Sequence, residues 1–405
     1  MTGKRTARAV VGVAVAALVA TIAPTTAVAE ELPDPVRYEL PRPSGPYQVG
    51  VIELHLVDRS RVDPWVPDSV REVMATVRYP AVRGTGEPAP YLTPGAARAM
   101  AESDAAQLGI NPEVLDYTFD THSRVGARAL GGDRPVVVYS PGAEMPRSLG
   151  TAQLEELTSR GYVTVAIDHT HEATAVEFPD GRVAEGVLGE WELDTARTMM
   201  DTRVDDVRFV LDQLEVLARG GNPDAADRPL PRGLGRALDL SRVGMFGHSG
   251  GGFTTGEVML DDRRVDAGAN LDGSMAYSQE HFAPVAREGL DRPFLLMSAG
   301  DHSEANDPSW QEFLRNHHAW LLRLHLPEGE HFSYTDHQVL LPQLTAHLGV
   351  DPTLTARIIG TVDGERSMRS QVTYLTAFFD RHLRGIPQWL LAGPSPAHPD
   401  VEFLR

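Results

Sequence analysis

The chain of 405 residues contains no cysteine. That absence excludes a disulfide scaffold, a thiolate nucleophile, and thiolate-bound zinc or iron–sulfur centres. Lysine is almost missing too, since Lys4 is the only one. A catalytic Schiff base on lysine is therefore excluded from the body of the protein. Positive charge is scarce overall: 37 Lys and Arg stand against 56 Asp and Glu, for a formal net charge of −19. A surface of that sign repels a phosphate backbone, so nucleic acid is not an expected partner. Long hydrophobic runs are absent apart from Ala9 to Ala23. That run falls short of the ~20 residues needed to span a bilayer core of ~30 Å. No internal repeat and no low-complexity tract interrupts the chain. What is present, 42% hydrophobic and 23% charged residues, is the composition of a globular protein with a sizeable core.

The first residues read as an address. Lys4, Arg5 and Arg8 precede the apolar run, and the small-x-small site Ala27-Val28-Ala29 follows it, ahead of Glu30 and Glu31. This is the three-part pattern of a secretory signal peptide, with cleavage expected after Ala29. The competing reading, an uncleaved anchor, is disfavoured by the length of the run. The expectation is an exported, soluble mature chain, 30–405, forming a single domain with an insertion around 96–130.

Within that chain, Glu30 to Gln48 is rich in proline and charge and reads as a surface lead-in. Val49 to Val57 and Val70 to Tyr79 alternate apolar and polar residues, the period of half-buried strands. Ala96 to Leu130 has helical composition. From Pro135 onward short, wholly apolar strands alternate with helices: Pro135–Tyr139, Tyr162–Ile167, Val243–Phe246, Val265–Leu271, Pro293–Ser298 and Leu321–Leu326. Met200, Val204, Val207, Leu211, Leu214 and Ala218 form the apolar stripe of one long helix, and Met368, Val372, Leu375, Phe379 and Leu383 that of a closing one. The fold class is α/β, a mostly parallel central sheet with helices on both faces. Ligands on such sheets bind at the carboxyl ends of the strands.

The sharpest motif is Gly247-His248-Ser249-Gly250-Gly251, a G-x-S-x-G directly after a buried strand. A serine there sits on a tight strand-to-helix turn, and glycines two residues away on either side let neighbouring backbones approach. Serine is a weak nucleophile until a base takes its proton. In the chain order of α/β-hydrolases that base lies C-terminal to it. Ten histidines lie downstream, and His331 is the one in a turn, Glu328-Gly329-Glu330-His331, just after the last apolar strand. Two carboxylates end strands on the same edge, Asp272 and Asp301, and position leaves them equal as the partner of His331. An oxyanion hole needs two backbone donors. Gly250, following the nucleophile, supplies one. Ala143 is the better choice for the other in the loop Ser140-Pro141-Gly142-Ala143-Glu144, because Pro141 has no amide hydrogen.

These residues resemble the platelet-activating-factor acetylhydrolase branch of the α/β-hydrolases, including its secreted bacterial lipase-like members. The resemblance rests on Arg61-Val62-Asp63-Pro64-Trp65, Arg78-Tyr79-Pro80-Ala81, Tyr139 to Gly142, Ser159-Arg160-Gly161-Tyr162 and Asp168-His169-Thr170. It continues through Gly247 to Gly251, Asn270 to Gly273 and Glu330-His331-Phe332. It implies an α/β-hydrolase fold, Asp272 as the acid with Asp301 as the alternative, and His331 as the base. It also implies a lipid ester as substrate, in the manner of a 1-alkyl-2-acetylglycerophosphocholine esterase. Pro141-Gly142-Ala143 stands where the animal enzymes have a histidine-bearing oxyanion segment. Gly250 stands where they commonly have phenylalanine, which widens the entrance and argues against narrow acetyl selectivity. No metal or organic cofactor is required: H-E-x-x-H spacing is absent and His317-His318 is a lone pair.

The expected activity is thus that of a secreted serine ester hydrolase with catalytic Ser249, Asp272 and His331, acting on small-molecule or lipid esters. Two alternatives stand beside it. One is a broad lipase, cutinase-like carboxylesterase or polyester hydrolase on the same machinery. The other is a non-catalytic lipid-binding protein on a hydrolase fold. The segment 96–130 has two readings, a wall of the acyl pocket in transient contact with lipid, or a structural excursion.

Overall fold

The strand β1 (Gln48–Val62) lies antiparallel against β2 (Val70–Ala81), in register from Gln48 opposite Ala81 to Asp58 opposite Arg71. Along β2 the side chains of Val73, Ala75, Val77 and Tyr79 join one apolar cluster, while Thr76 and Arg78 face the other way. That is the two-residue period of a strand. These details come from a computed structural model that describes residues 33–349 and 351–404. The leader expected over 1–29 lies outside the described residues.

The other strands of the main sheet are β3 (Glu87–Pro90), β4 (Asp120–Val125), β5 (Arg134–Ser140), β6 (Val163–Asp168), β7 (Leu238–His248), β8 (Val265–Leu271), β9 (Phe294–Ala299), β10 (Leu321–Leu326) and β11 (Glu402–Leu404). Their order is β11-β10-β9-β8-β7-β5-β6-β2-β1-β4-β3, eleven strands in one sheet. The run from β6 through β5, β7, β8 and β9 to β10 is parallel. Both faces are covered. Val136 and Val138 of β5 pack on one side with α3 (Leu193–Ala218) and α4 (Gly250–Asp261). Val137 and Tyr139 pack on the other with α2 (Thr151–Ser159) and α9 (Gly364–Arg384). The chain leaves β5 to build β6 on one side and later β7 on the other. The gap between their diverging connections opens at the carboxyl end of the sheet, which is where ligands bind in such folds.

Two sequence expectations need correction. The stretch 96–130 is not one helical excursion. It holds a helix, Pro94–Leu108, and then β4, a strand of the main sheet paired parallel to β1. Strand β4 reads Asp-Thr-His-Ser-Arg-Val, too polar to stand out, because it lies near the sheet edge with one neighbour only four residues long. The lead-in is likewise not surface throughout. Val36, Tyr38 and Leu40 are buried in a third apolar cluster with the 94–108 helix and Leu340, Leu341 and Leu344.

Charge is also buried beside the sheet. Asp206 of α3 is fully enclosed and accepts four hydrogen bonds. Arg61 and Arg71 donate to Oδ1 at 3.0 Å each, Arg71 again to Oδ2, and His169 Nδ1 lies 3.0 Å from Oδ2. Arg71 also donates to Asp63 at 2.8 Å and to the Thr170 carbonyl at 2.7 Å. Burial opposes the Asp206 anion, but Arg71 and His169 outweigh it and hold its pKa below the ordinary carboxylate range. Since the folded-state pKa is the lower one, the stabilisation is complete above the unfolded value of about 3.9 and fades as pH falls through that range. Removing one partner of a buried pair costs about 3–5 kcal/mol, because the remaining charge stays enclosed. Asp206→Ala is expected to lower stability by that amount at pH 7. A urea midpoint equal to that of the parent protein would refute the assignment of a stabilising role.

Candidate active site

Strand β7 delivers Ser249 to the carboxyl edge. Ser249 has φ 53° and ψ −122° and caps the N-terminus of α4. A side chain larger than hydrogen has no room on either flank. A Cβ on Gly251 would stand 1.8 Å from the Ser140 carbonyl oxygen, and one on Gly247 2.2 Å from the Gly251 carbonyl carbon. The turn is pinned by the Ser249 amide, which donates to the Leu271 carbonyl at 2.8 Å. The start of α4 adds the positive end of its dipole at the hydroxyl.

Asp272 ends β8, one strand over, with φ 63° and its amide donating to the Met297 carbonyl at 2.7 Å. His331 opens a short 3-10 turn, His331–Tyr334, after β10. His331 Nδ1 lies 2.6 Å from Asp272 Oδ2, and His331 Nε2 lies 2.9 Å from Ser249 Oγ. A carboxylate only accepts, so Nδ1 carries the hydrogen and Nε2 accepts from the serine hydroxyl. The His331 carbonyl oxygen lies 2.8 Å from His248 Nε2, which ties the histidine of the serine motif to the turn. Burial, reinforced by His331, pushes His248 down to about 3, so it is a neutral donor. Burial likewise opposes the Asp272 anion, but His302 and His331 hold its pKa below the ordinary carboxylate range.

Asp301 is not part of this chain of contacts. It is exposed at the mouth of the site, and its carboxylate makes no hydrogen bond among the described residues. Ala143 and Gly250 line the same cavity as Ser249, and an ideal Cβ on Gly250 would stand 3.1 Å from the Ala143 amide nitrogen. Among the described residues no acceptor takes either amide. His325 packs within its strand, 2.9 Å from Ser298 Oγ; Asp168-His169-Thr170 is not in the cavity lining, Asp168 pairing with Arg147 and His169 with Asp206.

Two features escaped the sequence. Arg203 of α3 is buried and holds the loop after β5 from behind, donating to the Pro141 carbonyl at 2.7 Å and the Gly142 carbonyl at 2.9 Å. Glu172 neutralises it, with Arg203 Nε donating to its oxygens at 2.9 and 2.8 Å. The signal was available: Arg203 and Asp206 interrupt the apolar stripe of Met199, Met200, Val207 and Val210, and a charge on a buried stripe demands a partner. The second feature is His302, 2.9 Å from the other oxygen of Asp272. Its only sequence mark is that it directly follows a strand-ending aspartate.

The cavity has a volume of about 420 Å³. Its lining combines apolar side chains, Trp191, Ala196, Met199, Phe253 and Tyr277, with the ionisable groups of Asp272, Asp301, His302, Glu330 and His331. A carbonyl group resting on Ser249 would therefore meet both apolar surface and ionisable groups.

Known proteins share this framework. A model of the family "platelet-activating factor acetylhydrolase, isoform II" matches residues 121–389. A protein of Arthroderma benhamiae named "probable 1-alkyl-2-acetylglycerophosphocholine esterase" is 27% identical over 428 aligned residues, covering 97% of this chain and 99% of that one. The platelet-activating factor acetylhydrolase of Cavia porcellus is 27% identical over 192 residues, 44% of this chain and 42% of its own. Among solved structures, the ferulic acid esterase of Streptomyces cinnamoneus superposes with a TM-score of 0.73 at 36% identity, over 91% of this chain and 100% of that one. With the family model spanning well over half of its length, the chain belongs to the platelet-activating factor acetylhydrolase, isoform II, family and is an ester hydrolase of the α/β-hydrolase fold.

Proposed function

We propose that the protein is a secreted serine hydrolase of lipid esters, with Ser249 as nucleophile, His331 as base and Asp272 as the acid that orients it. The observation that carries this reading is the unbroken hydrogen-bonded line from Ser249 Oγ through His331 to Asp272. Ser249 Oγ attacks the ester carbonyl carbon while its proton passes to His331 Nε2. The carbonyl oxygen becomes an oxyanion facing the free amides of Ala143 and Gly250, held in place beforehand by the Arg203 clamp on the loop. His331 then protonates the leaving alcohol. Water, deprotonated by the same ring, attacks the acyl-enzyme and releases the carboxylic acid and free Ser249. Asp272 remains an anion throughout and stabilises the imidazolium each time it forms. Secretion rests on the leader pattern of residues 1–29 alone.

For the substrate, a phospholipid with a short acyl chain agrees with the family and with a cavity of about 420 Å³. Its mouth carries the exposed carboxylates of Asp301 and Glu330 together with the exposed indole of Trp191, groups that attract a quaternary ammonium head group. A second reading, an ester of an aromatic acid, is favoured by the rings of Trp191, Phe253 and Tyr277 in the cavity lining and by the likeness to the ferulic acid esterase.

Ser249→Ala is expected to lose several orders of magnitude in kcat on p-nitrophenyl acetate, toward the ~10⁶ lost in reference serine enzymes, with an unchanged thermal midpoint. Hydrolysis within tenfold of the parent rate would remove Ser249 from the role. Asp272→Asn is expected to cost about 10⁴ in kcat by presenting the wrong tautomer of His331, and Asp301→Asn less than tenfold. The opposite ranking would transfer the acid to Asp301. Compared at equal enzyme, kcat/KM for 1-alkyl-2-acetylglycerophosphocholine is expected to exceed that for methyl ferulate. The reverse order would establish the aromatic-acid reading.

A further inference from the structure

Asp272 gives His331 only one of its two oxygens. The other, Oδ1, lies 2.9 Å from the Ala299 amide and 2.9 Å from His302 Nδ1. The far side of the His302 ring is held as well, with Nε2 2.9 Å from Asp307 Oδ2. Each ring nitrogen of His302 thus meets a carboxylate, and ionised carboxylates only accept. The geometry is satisfied when both nitrogens carry hydrogen, which makes the ring a cation.

The clamp is firmly built. Asp307 caps α6 (Pro308–Asn316) and accepts from the Ser309 amide at 2.9 Å and the Ser309 hydroxyl at 2.6 Å. The His302 ring lies over Trp310, centroid to centroid 4.5 Å, and the Trp310 indole donates to the Gly273 carbonyl at 2.8 Å. The helix that orients His302 is therefore fastened to the residue next to the acid. Burial opposes a charge on His302, but Asp272 and Asp307 outweigh it and lift its pKa to about 9. The other ionisable groups nearby are Asp301 and Glu330 at the cavity mouth, His331 and neutral His248 beyond Asp272, and Glu304, which Arg323 holds at 2.6 Å.

We infer that His302, clamped by Asp307, is a positioning residue that sets a positive charge behind Asp272 and thereby limits how tightly His331 holds a proton. The inference rests on the proposed triad. An imidazolium at His331 is stabilised by the Asp272 anion, and a cation on the opposite side of that anion subtracts from the stabilisation. The base consequently stays unprotonated, and the enzyme active, to lower pH than with Asp272 alone.

The test is the pH profile of kcat/KM on p-nitrophenyl acetate, whose acid limb reports the free enzyme's base. His302→Gln retains a donor for Asp272 and loses the charge, and the acid limb is expected to rise by about one pH unit, the order produced by one nearby unit charge. His302→Asn, another neutral donor, should shift the limb in the same direction. His302→Lys restores a cation and should bring the limb back toward the parent position. A purely structural role predicts a lower plateau with the limb unmoved in all three, and that result would overturn the inference. If His302→Gln unfolds, as judged by circular dichroism, His302→Asn carries the test alone. Failure of the triad reading is separately visible as retained hydrolysis by Ser249→Ala, whereas an inactive Ser249→Ala with unshifted limbs rejects only the role of His302.

Discussion

One buried carboxylate organises this site. Asp272 sits at a left-handed backbone position at the end of β8, out of contact with water, and every hydrogen bond it accepts comes from a different part of the fold: the Ala299 amide at the end of β9, the imidazole of the turn after β10, and the imidazole ahead of α6. A lone carboxylate in that position would be costly to keep ionised. Its tolerance depends on three donors arriving together, so the parallel register of β8, β9 and β10 is as much a part of the chemistry as the side chains.

A second buried array holds the loop after β5. Glu172, Arg203, Ser140, His169 and Asp206 form a continuous polar path from the loop after β5 to the arginines of the β1–β2 hairpin, with Ser140 Oγ 2.9 Å from His169 Nε2 and 3.3 Å from Arg203 Nη1. That loop, which under the proposed mechanism presents the Ala143 amide to a transient anion, has no regular ladder to fix it. Here charged donors grip its carbonyls from beneath. Under that mechanism, preorganisation of this kind would let the amide act without reorganising at the moment of reaction. The same guanidinium that serves the loop is itself discharged by Glu172, so no net charge is left stranded below the cavity.

Much of this was readable along the chain, for local reasons. Gly247 to Gly251 announces a tight turn because the residues that crowd it are its own neighbours. The apolar strands from Pro135 onward stand out because both sheet faces are covered, which removes the need for polar alternation. His331 could be picked from ten histidines because it follows a strand by a short turn. The choice between Asp272 and Asp301 was not local. Both end adjacent strands, and only the likeness to a family separated them; in the fold His331 meets Asp272. His302, Asp307 and the Arg71–Asp206 pair depend on segments 5 to 135 residues apart coming into contact, and single-sequence periodicity carries no such information. Strand β4 and the buried Val36, Tyr38 and Leu40 were misread because edge position and coverage by a distant helix override composition.

The sheet ends on the β10 side with β11, three residues from the far end of the chain that pair antiparallel with Arg323, Leu324 and His325. An edge strand otherwise offers its unpaired amides and carbonyls to any other extended chain. Val401 and Leu391 pack in the cluster beneath, so the tail is seated as well as paired. This short addition works as a selvedge. A form of the protein clipped ahead of Glu402 would keep Ser249, Asp272 and His331 but bare β10, and the loss would be felt first in solution behaviour, as sticking between molecules.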